Sequence, residues 1–522
     1  MLNAPIPRLI YYNDARHYLM YRFDPPLSLH TLRRPVDELL GTGVDTLAFG
    51  LASGATFLHG SNVGNQWGEA VTEHSRGVMW WRGAKNLEAA LAVGLDPLKV
   101  VIDRAHEKGM RLICSLRMND PATASGPTAN RYMLNRLKQE HPEFMIGESH
   151  PDHPHGATCL DFAVEQVRNE RLAVMEEVCD RYGADGIEMD PYVRAFFKPS
   201  QIDQHTPLLT EFIRQVRALL DRIGSKRNQR LMLSARVHPR EEANRAVGMD
   251  VRTWITEKLL DWVVPGAGGF QLDQEAHFGR LADICDANEV GIYPRLGQVP
   301  YDDRHHKTTI QMWRAAAMNQ IDAGADGVYL SDIGWPLGAH QYDILRELAD
   351  VDAYARQDKH YLTAQREAAP DPNAVPRHVP VILEEGATTE VPISVGDDVS
   401  AAVADGELQR VTLRVRIVQT GPKDRFRFGL NGTELALDPR NVSTYYGGMV
   451  SPTAARSGLP PRINTHYWFE FDVPVELIRC GTNTVNVTMD HNLAERVEDR
   501  VFHQAELLIE YKHPPVPTGG QM

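Results

Sequence analysis

The sequence predicts an α/β protein: a (β/α)8 TIM barrel followed by a C-terminal antiparallel β-sandwich. Three observations carry this. Between residues 7 and 350, short apolar runs alternate with longer amphipathic stretches of helical period, the pattern of strand–helix units around a parallel sheet. Eight such runs can be counted, the number a closed barrel needs, and about 350 residues suit that fold. After residue 356 the helical stretches give way to alternating strand-like segments separated by turn residues such as Asn431-Gly432.

The eight expected strands are PRLIYYND (7–14), VDTLAFGLA (44–52), RLICSLRMND (111–120), GIEMDPYVR (186–194), LMLSARVHP (231–239), DWVVPGAG (261–268), GIYPRLG (291–297) and GVYLSDIGW (327–335). Helical stretches such as 98–110, 167–183 and 310–324 lie between them. Gly-Ala-Asp-Gly occurs twice, before DGIEMDPYVR (185–194) and within GADGVYLSDIGW (324–335). In both places a helix is expected to stop at Gly, turn through Asp-Gly, and deliver a strand that ends in a carboxylate. The domain boundaries read from the chain are 1–356 for the barrel, 357–377 for a Pro-rich linker, 378–513 for a jelly-roll-like accessory sandwich and 514–522 for a tail.

Composition restricts the function classes. A net charge of −14 gives the general surface no attraction for nucleic acid or anionic lipid, so a bound anion must meet a local cluster of positive charge. No stretch of 18 apolar residues is present to cross a bilayer. Cys114, Cys159, Cys179, Cys285 and Cys480 are widely spaced without a CxxC pair, and read as buried free thiols. The N-terminus lacks a signal-peptide pattern, which fits a cytoplasmic protein or a secreted or periplasmic one in its mature form. A homodimer is left open. No Gly-rich phosphate cradle, GxSxG elbow or dinucleotide fingerprint occurs, and the histidine runs at 150–156 and 304–307 read as loops rather than metal tracts, so neither cofactor nor metal is expected.

The strand ends carry the chemistry. Barrel enzymes place their sites there, and here the ends read Asn13 and Asp14; Arg117, Asn119 and Asp120; Glu188, Asp190, Tyr192 and Arg194; Arg236 and His238; Tyr293 and Arg295; Ser331, Asp332 and Trp335. Arg117, Arg194, Arg236 and Arg295 would converge on one mouth, where paired guanidinium hydrogen bonds suit a carboxylate or phosphate; the alternative is that they neutralise the acids around them. Asp14, Glu188 and Asp332 end strands one, four and eight, and strands on different sides of a barrel can supply the two separated acids of an inverting glycosidase. Asp14, after Tyr-Tyr-Asn, has little packing reason to be there and is expected to be the acid. Trp67, in a long insertion at about 53–95 that also holds Trp80 and Trp81, and Trp335 could stack on sugar faces, with core packing the alternative for Trp80 and Trp81.

YYND (11–14), RMND (117–120), HPEFMIGE (141–148), LDFA (160–163), DGIEMDPYVR (185–194), GMDVRTWITEKLLDWVVPG (248–266) and GADGVYL (324–330) together resemble the barrel of glycoside hydrolase family 156 and related barrel glycosidases, over most of residues 8–336. That resemblance implies an inverting exo-sialidase acting on a terminal sialic acid without a metal or a covalent intermediate. It implies that Asp14 matches a catalytic aspartate and Arg117 an arginine that holds the sialate carboxylate. Where the family pattern places a catalytic histidine, two residues after the Asp of RMND, this chain has Ala122, and Asp332 stands where relatives carry Asn. The water-activating role would then pass to Glu188, Asp190, Asp120 or a histidine of the 150–155 loop, or the site is altered, inactive or selective for another acidic sugar. The expected partner is a sialylated glycan or other acidic-sugar glycoside. Two rivals remain: a barrel glycosidase for a neutral or uronic sugar with Glu188 and Asp14 as its acids, and a carbohydrate-binding protein with a decayed site.

Overall fold

The computed structural model describes residues 6–53, 56–73, 77–122, 131–133, 135–149, 156–191, 195–266, 271–300, 308–331, 333–363, 377–447, 464–493 and 498–513. The chain divides into two compact units, the first comprising 1–268, 277–295 and 324–349, the second 269–276, 296–323 and 350–522.

The first unit is built on one curled sheet. Its strands are β1 (Leu9–Asn13), β2 (Thr46–Gly50), β3 (Arg111–Arg117), β4 (Gly186–Asp190), β5 (Met232–Val237), β6 (Trp262–Pro265), β7 (Gly291–Ile292), β8 (Arg295–Leu296) and β9 (Val328–Leu330). Each of the eight expected runs contributes to it. The order is β7-β6-β5-β4-β3-β2-β1-β9-β8, so the two outermost members are pieces of one segment, separated only by Tyr293 and Pro294. Strands β1, β2, β4 and β6 are buried on both faces, which is why their sequences are nearly continuous apolar runs. The inner face starts from an apolar plug of Ile10, Tyr12, Ala48, Ile113, Met232, Trp262, Val264, Tyr293 and Tyr329.

At the entry ends of the strands an aspartate recurs in every second unit. Asp45 accepts the Arg8 N–H (2.9 Å), Asp185 that of Leu112 (2.9 Å), Asp261 that of Leu233 (2.7 Å) and Asp326 that of Ile292 (2.8 Å). Each stands just before the strand formed by an even-numbered member of the eight runs and fastens the preceding run to it. The aspartates of the two Gly-Ala-Asp-Gly repeats are thus structural ties as well as parts of a helix stop. Gly183 and Gly324 end their helices at φ 87° and 94°, a conformation that glycine adopts without a Cβ clash.

The insertion at 53–95 contains a helix, α1 (Val78–Ala92). Gly83, Ala84, Leu87 and Ala90 fall at helical spacing on its buried side, a period hidden in the sequence by the adjacent Trp80 and Trp81.

In the second unit a six-stranded antiparallel sheet and a four-stranded one share a core that includes Val411, Leu413, Val415, Phe428, Phe469, Val487 and Leu507. Asn431 and Gly432 both have positive φ (53° and 82°) and join Leu430 to Thr433 in the expected tight hairpin. Lys359–Leu362, inside the stretch read as linker, is a strand paired with Arg500–Tyr511. Four cysteines are buried free thiols as expected; Cys480 is exposed, a correction. No helix among the described residues is long and apolar enough to cross a membrane.

Candidate functional site

Strand pleating places residues i and i+2 on one face. Tyr12, Ser115 and Arg117, Glu188 and Asp190, Ser234 and Arg236, and Tyr329 and Ser331 follow this rule along the strands whose inner face carries the plug. The register sets Ser115 beside Glu188, Arg117 beside Asp190 and Glu188 beside Ser234.

Above the plug the groups are charged. Glu188 has no solvent exposure; its Oε1 accepts from Ser115 Oγ (2.7 Å), Arg236 Nε (2.9 Å) and Tyr329 OH (3.0 Å), while Oε2 is buried without a partner among the described residues. Burial pushes its carboxyl up against the pull of Arg236 and of these hydrogen bonds. Arg236 also donates to Asp190 Oδ2 (3.3 Å) and to the Tyr329 hydroxyl (2.6 Å), and its guanidinium carbon lies 4.1 Å from the Tyr12 ring centroid. Of the two readings of the arginines, Arg236 therefore takes the neutralising one. Glu188 is a correction as well: it sits one layer beneath the strand ends, where it holds Arg236 and is closed to solvent.

Tyr12 marks where the predicted residues meet. Burial pushes its hydroxyl up to about 12, Arg236 and Arg117 pull it down, and Asp14 and Asp190 push it up, so all four charges act on this one side chain. A β-carbon on Gly50 would come within 3.0 Å of Asp14 Cα and 3.1 Å of the Tyr12 hydroxyl, so a side chain there would press on the β1 exit turn. Arg295 donates from Nε to Ser331 Oγ (2.8 Å).

The β1 exit turn is strained. Ala15 has φ 64°, unusual for a residue with a side chain, and is held there by buried Asn13, whose Oδ1 accepts its N–H (2.9 Å). This aims Asp14 and Arg16 at each other. Asp14 Oδ1 accepts Arg16 N–H (3.0 Å), Oδ2 accepts Arg16 Nε (2.8 Å), and Arg16 Nη2 stands 2.6 Å from Oδ2. Burial would raise the Asp14 carboxyl, but the charges of Arg16 and His17 and the Arg16 hydrogen bonds outweigh it and hold it below the usual carboxylate range. These contacts favour the ionised form of Asp14, the residue expected to be the acid. A π-helical turn, His17–Arg22, follows.

Other expected residues have structural roles. Asn119 is 2% exposed, donates to the Leu160 and Ala195 carbonyls (both 2.8 Å) and accepts from Leu160 N–H (2.9 Å), so it braces loops instead of binding substrate. Asp120 Oδ1 accepts the Ala122 N–H (2.7 Å), and buried Lys138 binds the carbonyls of both residues. Trp67 is 3% exposed and stacked on Trp80 (5.1 Å between centroids, 8° between planes), so it is core, not a sugar platform. Trp335 is half-buried, with His17 stacked on it (5.0 Å, 8°), Arg22 5.4 Å from its centroid, and its N–H shared by Tyr18 OH (3.1 Å) and Glu38 Oε2 (3.3 Å). Those contacts occupy the ring expected to stack on sugar. His238 is buried, its Nδ1 accepting from Arg240 N–H (3.0 Å). Tyr192, Arg194, Asp332 and both histidine runs, apart from Gly156, lie outside the described residues.

Sequence reading missed Tyr12, Ser115, Tyr329, Arg16 and His17. The first three were within reach, each standing two residues before a singled-out strand-end residue and so on the same face. Arg16 and His17 lay past the strand, where a periodicity gives no signal.

No family model matches the chain, and no curated protein does. Among solved structures, the chain aligns over 96% of its length with 57% of a cycloisomaltooligosaccharide glucanotransferase of a Paenibacillus species (12% identity, TM-score 0.31). It aligns over 67% of its length with 49% of α-L-fucosidase isoenzyme 2 from Paenibacillus thiaminolyticus (11%, 0.41), and over 92% with 98% of the maltogenic α-amylase AmyB from Thermotoga neapolitana (11%, 0.37). The chain spans about half the length of the first two. Likenesses this distant carry no weight for function.

Proposed function

We propose that the chain is a glycoside hydrolase with a (β/α)8 barrel, releasing a terminal sialic acid or related ulosonic sugar with inversion and without a metal. The observation that carries this reading is the set of charges around Tyr12: acids Asp14 and Asp190 from β1 and β4, and guanidinium groups Arg117 and Arg236 from β3 and β5. A sugar carboxylate fits between arginines, and Arg117, aided by Arg295, is its clamp. Single displacement needs groups on opposite faces of the sugar ring. The β1 exit supplies one pole and Asp190, three strands away across β2 and β3, the water-activating other. Glu188 fixes Arg236, and through it Asp190.

A panel of methylumbelliferyl glycosides tests the substrate class: release from the α-sialoside is expected, and release only from a neutral or uronic sugar would replace the reading. NMR of the fresh digest tests the stereochemistry. The β-anomer appearing first from an α-linked substrate is inversion; the α-anomer first means retention and would overturn single displacement.

A further inference from the structure

Arg16 donates to both oxygens of Asp14, its N–H to Oδ1 (3.0 Å) and its Nε to Oδ2 (2.8 Å), so this carboxylate is engaged as an acceptor and is poorly placed to give a proton at the β1 pole. The aglycone oxygen of an alkyl glycoside is a poor leaving group, so some group there must protonate it. His17 is the neighbour in place. Its Nε2 stands 4.0 Å from Asp14 Oδ1, and both side chains reach solvent, at 23% and 15% exposure. The imidazole is held flat against Trp335, whose N–H is fixed by Tyr18 and Glu38, and Tyr21 packs at its edge (5.9 Å, 59°). The strained Ala15 turn and the π-helical turn bring His17 back beside the carboxylate three residues before it, and both kinds of irregularity concentrate at functional sites.

We infer that Asp14 and His17 form a carboxylate–imidazole dyad in which His17 is the proton donor to the leaving group and Asp14 is the fixed anion that keeps it charged. This rests on the glycosidase reading above and names a residue that reading leaves unassigned. As the bond from the anomeric carbon to the aglycone oxygen breaks, its electron pair stays on that oxygen, which takes the Nε2 proton. Water forms the new bond to carbon from the opposite face and passes its proton to Asp190; solvent restores both groups. Among the described residues, the charged and titratable groups around the imidazole include Asp14 and Arg16 from the β1 exit, Tyr21 and Arg22 from its own turn, and Glu38 behind Trp335.

The test compares wild type with His17→Phe, which keeps the stack, and His17→Gln, which keeps a polar group. The substrates are an α-sialoside of methylumbelliferone, whose leaving group needs little protonation, and sialyllactose, whose leaving group needs it. Both variants should lose about 10²–10⁴-fold on sialyllactose, less than about tenfold on the aryl substrate, and the alkaline limb of the kcat/KM profile. A purely structural His17 would leave His17→Phe active on both substrates or slow both alike, with the alkaline limb kept; either result overturns the dyad. On the wild-type chain, NMR titration of His17 should show a midpoint that falls in Asp14→Asn, and an unmoved midpoint also overturns it. If wild type hydrolyses neither sialoside, the sialidase reading fails by itself, and the NMR result still decides the dyad.

Discussion

The two ends of the parallel sheet in the first unit use carboxylates in opposite ways. At the strand entries, Asp45, Asp185, Asp261 and Asp326 each take a backbone N–H of the adjoining strand. At the exits, Asp14 and Asp190 face guanidinium groups and Tyr12. A carboxylate consumed by backbone donors is a fastener, because its lone pairs have fixed partners. Asp190 is balanced by the Arg236 guanidinium and Asp14 by that of Arg16, with one backbone bond inside its own turn, and a ligand can replace such side-chain partners. Barrel folds divide stability and chemistry between these two ends.

The contrast can be broken by substitution at either end. The largest effect is expected at the exits: Asp14→Asn should cut turnover about 10²–10⁴-fold, with thermal unfolding little changed. Comparable losses of stability and activity would erase the distinction. Next comes an entry tie. Asp261 holds Leu233 N–H, Arg217 (3.1 Å) and Arg230 (2.7 Å), and Arg217 is nearly buried. Asp261→Ala leaves Arg217 to Asp221 and the Leu231 carbonyl and frees the Leu233 N–H, and should cost about 1–3 kcal/mol in denaturant unfolding, with normal activity per folded molecule.

Smaller effects should differ in sign with pH. The Asp185 carboxyl is buried, yet bonds from His106, Leu112 N–H and Gln229 hold it below its ordinary value. Its contribution is present above the unfolded carboxylate pKa and is lost as pH falls through the folded one. Glu188 is pushed up, so wild type loses stability as pH rises from the unfolded value through the folded one. Glu188→Gln should therefore gain on wild type in unfolding measured at pH 8 relative to pH 4, and a constant difference would contradict the shift. The smallest effect is His106→Ala. The bond His106 donates to Asp185 raises the imidazole, so its contribution is present below the unfolded histidine pKa and disappears as pH climbs through the folded one. The ring is 40% exposed, so the loss should stay under about 1 kcal/mol.

The strand runs were legible because burial on both faces writes continuous apolar segments, and the hairpin because Asn431-Gly432 supplies the two positive φ values it needs. Helix α1 was not, because its tryptophans obscure the helical period. Trp67 and Asn119 show why residue type misleads at a site: an aromatic ring or an amide serves packing or loop bracing as readily as binding, and only its neighbours decide.

What the sequence by itself determined is which residues lie on strands and which of them share a face, since those depend on local period and on burial. Tertiary structure alone decided which charges neutralise which. Arg236 goes to Glu188 across 48 positions, while Asp14 is claimed by Arg16 two residues on, through a turn forced at Ala15. Electrostatic pairing depends on distances of a few ångströms in space, and separation along the chain fixes those only after the backbone has closed.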